Sequence, residues 1–284
     1  MLTAVANTRG GELVSFKSGA GIEYLWQGNP NYWSGRNPNL FPIVGSLKDS
    51  TIQIDGSPYH MNRHGFARQN EFSVIEQGED FIVFQLEESN STLQVFPFRF
   101  CFRIRHQLLE NGFYTQFEIV NSGDTALPFC VGAHTAFNCP LHENKQFSDY
   151  RLVFDKVEDS WARFPNSAGC LAEENREYTL QNTDTISLDH QVYARVDTLI
   201  FEGLNSTGVS LRGPDDHGIH MEFSQFPMIA FWTNGAKEAP YICLEPWHGC
   251  AAIEGESGEF RDKHHCINLE PGQTKTLRYT VTLI

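Results

Sequence analysis

Glu245 is the residue whose type and surroundings point most directly to chemistry. It follows the apolar run 241–244, which predicts a buried strand, and Pro246 is expected to end that strand. A carboxylate at the end of a buried strand must be paired, solvated by specific groups or retained for proton transfer. Trp247 is close enough in sequence to form an apolar wall beside it. We therefore interpret Glu245 as a candidate general acid or base, with a salt bridge to an arginine as the structural alternative.

Two histidines and two arginines lie in segments where polar residues are mixed with glycine, proline and apolar residues. His134 has no charged residue around it between 126 and 141, a setting in which a hydrogen-bonded core histidine is the commoner outcome. His64 stands between an arginine and a glycine, which favours a ring that faces solvent or a ligand. Arg36 and Arg68 are candidate ligand contacts, with solvated surface charge as the alternative.

Three pairs of histidines have spacings that a metal site could use, at positions 60 and 64, 217 and 220, and 264 and 265. None lies on a predicted helix or beside a matching cysteine or carboxylate pattern, so we expect no dedicated metal site. A glycine-rich phosphate loop, a dinucleotide fingerprint and a Gly-x-Ser-x-Gly motif are also missing from the sequence. Kinase, dehydrogenase and serine-hydrolase functions therefore lack support.

Short strands must position these side chains, because runs with a period of two recur along the chain between turn residues. The segments 113–120 and 276–283 alternate clearly, and Asn111-Gly112 predicts a tight hairpin before the first of them. Helical periodicity is nearly absent, apart from a turn or two within 255–264. The pattern predicts an all-β fold, a large single-domain β-sandwich over 1–284, with most of the 22 phenylalanines in its core.

The charge and composition narrow the function further. The 284 residues carry a net charge of −14, which repels phosphate backbones and argues against nucleic-acid binding. No apolar stretch is long enough for a membrane helix, and the N-terminal residues do not resemble a signal peptide. The seven scattered cysteines lack a Cys-x-x-Cys motif, so we expect a reduced, cytoplasmic protein without disulfides.

Four motifs in order resemble those of a known family. They read Arg-x-Pro-x-Leu-Phe-Pro from residue 36, His-Gly-Phe-Ala-Arg from 64, Gly-Ala-His-x-Ala-Phe from 132 and Leu-Glu-Pro-Trp-x-Gly from 244. Together they resemble the aldose 1-epimerase (galactose mutarotase-like) superfamily, and within it the LacX-type branch related to the hexose-6-phosphate 1-epimerases. The resemblance covers nearly the whole chain. It implies a large β-sandwich of the mutarotase type, often called a supersandwich, with a sugar cleft and interconversion of α and β anomers.

The resemblance also implies roles for individual residues. Glu245 matches the glutamate that takes the proton from the C1 hydroxyl, and His134 matches the histidine that protonates the ring oxygen. His64 matches a residue that positions the ring, and Asp197 matches an aspartate that hydrogen-bonds sugar hydroxyls. Arg36 and Arg68 match positions that contact sugar hydroxyls or hold a phosphate. Apart from the resemblance, Trp232 and Trp247 are candidates for stacking on a sugar face, with core packing as the equal alternative.

The chemistry of mutarotation agrees with these roles. A base at O1 and an acid at the ring oxygen must act together, so we expect Glu245 to be ionised while His134 is protonated. The reaction needs no cofactor and no metal. Two alternatives stay open: a carbohydrate-binding protein on the same fold that lacks turnover, and a glycosidase, in which Glu245 and Asp197 would flank the scissile bond. The substrate expected is a small sugar, and the sequence leaves its phosphorylation and the oligomeric state undetermined.

Overall fold

The computed structural model describes residues 1–284, and most of its secondary structure is β-strand. The strands are β1 (Thr3–Asn7), β2 (Glu12–Lys17), β3 (Asn39–Leu40), β4 (Thr51–Ile54), β5 (Ser57–His60), β6 (Ser73–Gln77), β7 (Phe81–Glu87), β8 (Phe100–Leu109), β9 (Gly112–Asn121), β10 (Leu127–Phe129), β11 (Val131–Ala133), β12 (Thr135–Asn138), β13 (Arg151–Pro165), β14 (Leu171–Ser187), β15 (Thr198–Glu202), β16 (Gly208–Arg212), β17 (Gly218–Glu222), β18 (Met228–Trp232), β19 (Tyr241–His248), β20 (Ile267–Leu269) and β21 (Thr274–Leu283). The helices are α1 (Asn90–Leu93) and α2 (His190–Val196), with 3-10 turns at Lys48–Ser50, Ala67–Gln69, Phe147–Asp149, Gly235–Lys237 and Phe260–Asp262. None of the helices is both long enough and apolar enough to cross a membrane.

The alternation read from the sequence is present in the strands. Burial along β9 alternates between buried and half-buried positions, and β8 pairs with β9 across the predicted Asn111-Gly112 turn. All named strand pairs are antiparallel, which suits an alternating pattern with one face toward a core. The turn expected within 255–264 is the single 3-10 turn Phe260–Asp262.

One large sheet carries most of the strands and folds over on itself. Its order is β3-β11-β19-β18-β15-β13-β16-β17-β21-β9-β8-β7-β6, with β12 added on β19 and β14 on β13. Strands near its two ends nevertheless pack together, since the rings of Phe41, beside β3, and Phe102, on β8, are 4.8 Å apart. The hydroxyls of Thr135 on β12 and Tyr279 on β21 are 3.1 Å apart. The predicted β-sandwich is confirmed, with the sheet's two ends forming its facing layers.

Phenylalanine supplies much of the core between these layers. The main cluster contains 64 buried residues, and every phenylalanine except Phe66, Phe81 and Phe164 is buried. The prediction that most of these rings are core residues is therefore confirmed. Each fully buried ring contributes roughly 1.5–3 kcal/mol through the hydrophobic effect, so the scaffold around the site is held by many rigid contacts.

The strand around Glu245 differs from the expectation. Pro246 does not end it, because β19 continues to His248 and Pro246 pairs with Ile229 of β18. On its other side β19 pairs with β11 up to Gly132 and with β12 from Thr135, so the neighbouring strand is interrupted between them. A proline has no N–H to donate, and this break is where the missing donor is tolerated. Glu245 therefore lies inside a central strand, where its position is fixed.

Candidate active site

A cleft of about 230 Å³ lies over β15, β18 and β19, and we call it the Glu245 cleft. Seven of the eight residues predicted from the sequence line it: His64, Arg68, His134, Asp197, Trp232, Glu245 and Trp247. The eighth, Arg36, is not part of the lining. Its Nε donates to the carbonyl of Gln27 at 3.2 Å, and a direct ligand contact through Arg36 stays a prediction.

Strand register explains why these side chains meet. Residues directly opposite each other on antiparallel strands share a face, and Ala230 of β18 lies opposite Glu245. Thr198 of β15 lies opposite Trp232, one step further along the same face. Thr198, Trp232 and Glu245 all line the cleft. Strand pairing thus brings side chains of β15, β18 and β19 to one face of the sheet.

The same register brings His134 to Glu245. The pairs Gly132 with Trp247 and Thr135 with Leu244 place His134 opposite Glu245 across the interruption in the neighbouring strand. The two side chains are in contact, with His134 Nε2 3.3 Å from Glu245 Oε2. Their relative exposures are only 8% and 1%. Strand pairing therefore joins a carboxyl and an imidazole that are far apart in sequence.

Burial determines the protonation of this pair. Loss of solvation raises the pKa of Glu245 well above 4.5, although the charge of Arg63 acts in the opposite direction. The same cause lowers the pKa of His134 to about 3. Both shifts favour the uncharged forms, so the proton rests on Glu245 and His134 is neutral, the reverse of the sequence-based expectation.

One proton is nevertheless shared by the pair in either arrangement. A protonated Glu245 beside a neutral His134 and an ionised Glu245 beside a protonated His134 contain the same number of protons, and they interconvert by transfer across the 3.3 Å contact. A pair that holds one proton therefore offers one group that can donate a proton and one that can accept it.

His64 supports this pair from a fixed orientation. Its Nδ1 accepts the backbone N–H of Gly45 at 3.1 Å, so the proton of the neutral ring lies on Nε2. The ring stands edge-on to that of His134, with centroids 5.4 Å apart. Burial, reinforced by the proximity of His134, lowers the pKa of His64 well below 6.5. His64 is therefore a neutral hydrogen-bond donor at the cleft.

Asp197 also lines the Glu245 cleft, and two hydrogen bonds hold its carboxylate. The indole Nε1 of Trp232 donates to Oδ1 at 3.1 Å, and the hydroxyl of Thr198 donates to Oδ2 at 2.9 Å. Asp197 also ends α2 with a φ of 63°, a conformation that few residues other than glycine adopt. These contacts and this backbone aim an exposed carboxylate along the edge of the cleft, where it can accept hydrogen bonds from a ligand.

Arginines form the remaining polar side. Arg68 lines the cleft and donates through Nη2 to the carbonyl of Arg63 at 3.1 Å, while burial lowers the pKa of Arg68. Behind them lies Glu12, whose pKa burial raises to about 7 despite the opposing charges of Arg36 and Arg68. Arg36 therefore belongs to the charge cluster behind the cleft rather than to its lining.

Several buried polar atoms of the Glu245 cleft have no partner within the chain. Arg68 Nε, His134 Nδ1 and Trp247 Nε1 have none, and Glu245 Oε2 has only its 3.3 Å contact with His134 Nε2. Buried polar groups are normally satisfied, and leaving one unpaired costs about 1–3 kcal/mol. The set contains donors and acceptors together, which suits a ligand that is itself rich in hydroxyl groups.

Sequence reasoning missed three residues of the site. The ring of Trp33 lies 5.1 Å from both His134 and Trp232 and covers the cleft from a loop. Arg63 lines the cleft, and the thiol of Cys243 lies within 4.8 Å of the side-chain nitrogen and oxygen of His134 and Glu245. An aromatic residue in the Asn-, Pro- and Gly-rich segment 28–38 was a usable signal for Trp33. The sequence contains no comparable signal for Cys243, because a cysteine in an apolar run is usually a small buried residue.

Two groups of side chains have the composition of a metal site. One is His134, Cys243 and Glu245, inside the cleft, and the other is Glu202, His264 and His265, outside it. Burial raises the pKa of Cys243 well above 9.0, so its sulfur remains a thiol rather than the thiolate that binds metals.

Comparison with known proteins agrees with this fold and cleft. A family model described as aldose 1-epimerase matches residues 1–282. The chromosomal protein LacX of Lactococcus lactis is 33% identical over 292 residues, covering 100% of this chain and 97% of that protein. A galactose mutarotase related enzyme from Lactobacillus acidophilus superposes with a TM-score of 0.94 at 30% identity, covering 100% of this chain and 95% of that chain. A galactose mutarotase-like protein from Lactobacillus casei gives a TM-score of 0.90 at 27% identity, covering 100% and 97%.

The chain belongs to the aldose 1-epimerase family. Its four sequence motifs correctly indicated this family, and its relatives of similar structure are galactose mutarotase-like proteins. The match extends over the large sheet, including β19, which carries Glu245, and the break between β11 and β12 that contains His134.

Proposed function

We propose that this protein is an aldose 1-epimerase that interconverts the α and β anomers of a hexose by opening and reclosing its ring. The contact of 3.3 Å between His134 and Glu245, at the base of the Glu245 cleft, is the observation that carries this proposal. The cleft of about 230 Å³ lies below the 300–1,000 Å³ typical of sites for drug-sized ligands, which fits a single sugar ring.

The reaction needs one proton accepted and one donated. With the shared proton on His134, Glu245 removes the proton from the O1 hydroxyl while His134 protonates the ring oxygen, and the C1–O5 bond breaks to give the open-chain aldehyde. Rotation about C1–C2 presents the other face of the carbonyl. Reclosure returns both protons, so no proton, electron or co-reactant is consumed.

The other residues hold the sugar in this mechanism. We assign Asp197, His64 and Arg68 to hydrogen bonds with sugar hydroxyls, and Trp232 and Trp247 to the walls beside the ring. Binding of several hydroxyls also supplies partners for buried polar atoms that otherwise lack them. Orientation by such contacts is worth several kcal/mol in bringing the reacting atoms together.

The substrate is a small sugar, free or phosphorylated, and we infer that residues 1–284 act as one domain in the cytoplasm. Arg63 and Arg68 both line the cleft, so a phosphate group there would have two cationic neighbours. The seven cysteines are all free, in keeping with a reducing compartment.

Polarimetry on freshly dissolved α-glucose, α-galactose and glucose 6-phosphate tests the proposal. Addition of the protein should accelerate the approach to anomeric equilibrium, and Glu245→Gln should abolish this acceleration because the amide cannot accept the proton. Glu158→Gln is the matched control: Glu158 is 2% exposed, accepts backbone N–H groups of Asn205 and Ser206, and lies outside the cleft.

The outcomes separate the two classes of function. Wild-type rates in Glu158→Gln together with no acceleration in Glu245→Gln support the enzyme. Saturable sugar binding without acceleration by the wild-type protein would reject turnover and favour the carbohydrate-binding alternative. Full activity in Glu245→Gln would show that the assigned base is wrong.

A further inference from the structure

Glu202, His264 and His265 bring three metal-ligating side chains together outside the Glu245 cleft. His264 Nε2 lies 2.6 Å and His265 Nε2 lies 3.2 Å from the same atom, Oε2 of Glu202. The ligand atoms of all three side chains lie within 4.8 Å of one another. Two imidazoles and one carboxylate form a donor set that divalent transition metals favour.

The backbone turns two consecutive histidines toward one point. In extended chain, neighbouring side chains point to opposite sides, but His265 has a φ of 55°. This left-handed conformation brings its ring beside that of His264, with centroids 4.0 Å apart. The Nδ1 of His248 donates to the carbonyl of His265 at 2.8 Å and fixes the turn. The backbone turn thus places the two rings on the same side of the chain.

An ion has access to this group from solvent. The side chains of Glu202, His264 and His265 are 30%, 36% and 32% exposed. All three line a second cavity of about 440 Å³. Three protein ligands that face a cavity leave a coordination position for water, as in open zinc sites.

The distances suit a small ion after a minor adjustment. Bonds of about 2.1 Å in a tetrahedron place ligand atoms about 3.4 Å apart. The contact of His265 with Glu202 is already 3.2 Å, and that of His264 must widen from 2.6 Å by less than an ångström. Arg163 approaches the other carboxylate oxygen, Oε1, at 3.8 Å, so Oε2 is the oxygen that faces the two imidazoles.

We infer that Glu202, His264 and His265 bind one divalent metal ion of the zinc class, through Oε2 and the two Nε2 atoms. The sequence showed no carboxylate to match the two histidines, because Glu202, which completes the set, lies 62 residues before His264 on β15. Glu202 lies two residues beyond Ile200, which lines the Glu245 cleft, so the metal site is a neighbour of the cleft but separate from it.

Calorimetric titration of the intact protein with zinc chloride, without sugar, tests this site. The wild-type protein should bind one equivalent. Loss of an outer-shell partner of a metal site already costs about 10–100-fold in affinity, so loss of a direct ligand in Glu202→Gln or His264→Gln should cost at least about 100-fold. If either variant fails to fold, His265→Asn provides the same test, because asparagine tolerates a positive φ.

Two variants serve as controls, and their readout is independent of turnover. His220→Gln removes a histidine of similar exposure that contacts a carboxylate, Asp155, at 3.0 Å, and it should bind zinc like the wild type. Glu245→Gln should also bind normally, which excludes the group inside the cleft. The inference fails if the wild type shows no saturable binding, if Glu202→Gln binds unchanged, or if Glu245→Gln abolishes binding.

Discussion

The protonation of the His134–Glu245 pair predicts an unusual dependence of activity on pH. An ordinary histidine with a pKa of 6.5 would take up a second proton as the pH falls to 5.5, leaving about 9% of the pairs with a single proton. Burial lowers the pKa of His134 to about 3, a shift that corresponds to about 5 kcal/mol. At pH 5.5 more than about 99% of the pairs should then keep one proton. The expected result is no loss of kcat/KM as the pH falls from 7.5 to 5.5.

The assay is the initial rate of anomer exchange at both pH values, with the uncatalysed rate subtracted in the same buffers. kcat/KM is the relevant quantity because it reports the ionisation of the free enzyme. Tryptophan fluorescence at both pH values serves as the control for the folded state. A tenfold lower kcat/KM at pH 5.5 with the fold intact would refute the reasoning, since it would mean that His134 titrates as an exposed histidine.

The buried histidines limit how far the pH can be lowered. A histidine whose folded pKa lies below its unfolded value binds fewer protons in the folded state, so stability falls as the pH decreases below about 6.5. His64, His106 and His134 all have lowered pKa values because of burial. The comparison at pH 5.5 therefore stays within the range where only the first part of this loss is incurred.

Three further outcomes are expected. Trp232→Phe removes the indole donor to Asp197 and should raise KM up to about tenfold with little change in kcat, because a hydrogen bond to a charged group is worth about 1.5 kcal/mol or more; an unchanged KM would exclude Asp197 as a binding residue that needs this support. Gly132→Ala places a Cβ 2.8 Å from Trp247 Cδ1 and should destabilise the protein by about 1–3 kcal/mol in urea unfolding, whereas unchanged stability would mean that the wall moves freely. In His106→Gln, the stability lost between pH 7 and pH 5 should be about 2 kcal/mol smaller than in the wild type, because burial lowers the pKa of His106 to about 4; an identical loss would contradict that shift.

The fold class could be predicted from the sequence because many of the strands alternate between buried and more exposed residues. Alternating residues in segments such as 113–120 bury one face, and the Asn111-Gly112 turn determines a local register. The motifs around Glu245 and His134 likewise allowed most of the cleft to be anticipated. These features depend on local composition and on order along the chain.

What the sequence could not supply depends on contacts between distant segments. Pro246 looked like the end of a strand because the interruption at His134 that accommodates it lies on another strand. The sequence also does not reveal that the charge of Arg36 acts on the buried carboxyl of Glu12. The protonation of Glu245 required knowledge of its complete burial, since its neighbours in sequence contain no measure of solvation.

The position of β21 has a consequence for how the protein is made. This strand lies between β17 and β9, so it alone joins the block β9-β8-β7-β6 to the rest of the large sheet. Until residues 274–283 leave the ribosome, β9 and β17 each lack a neighbour and present open edges. A nascent chain interrupted before residue 274 would already contain every residue that lines the Glu245 cleft, yet its sheet would remain in two unjoined parts. Such chains are the expected targets of chaperones and proteases during synthesis.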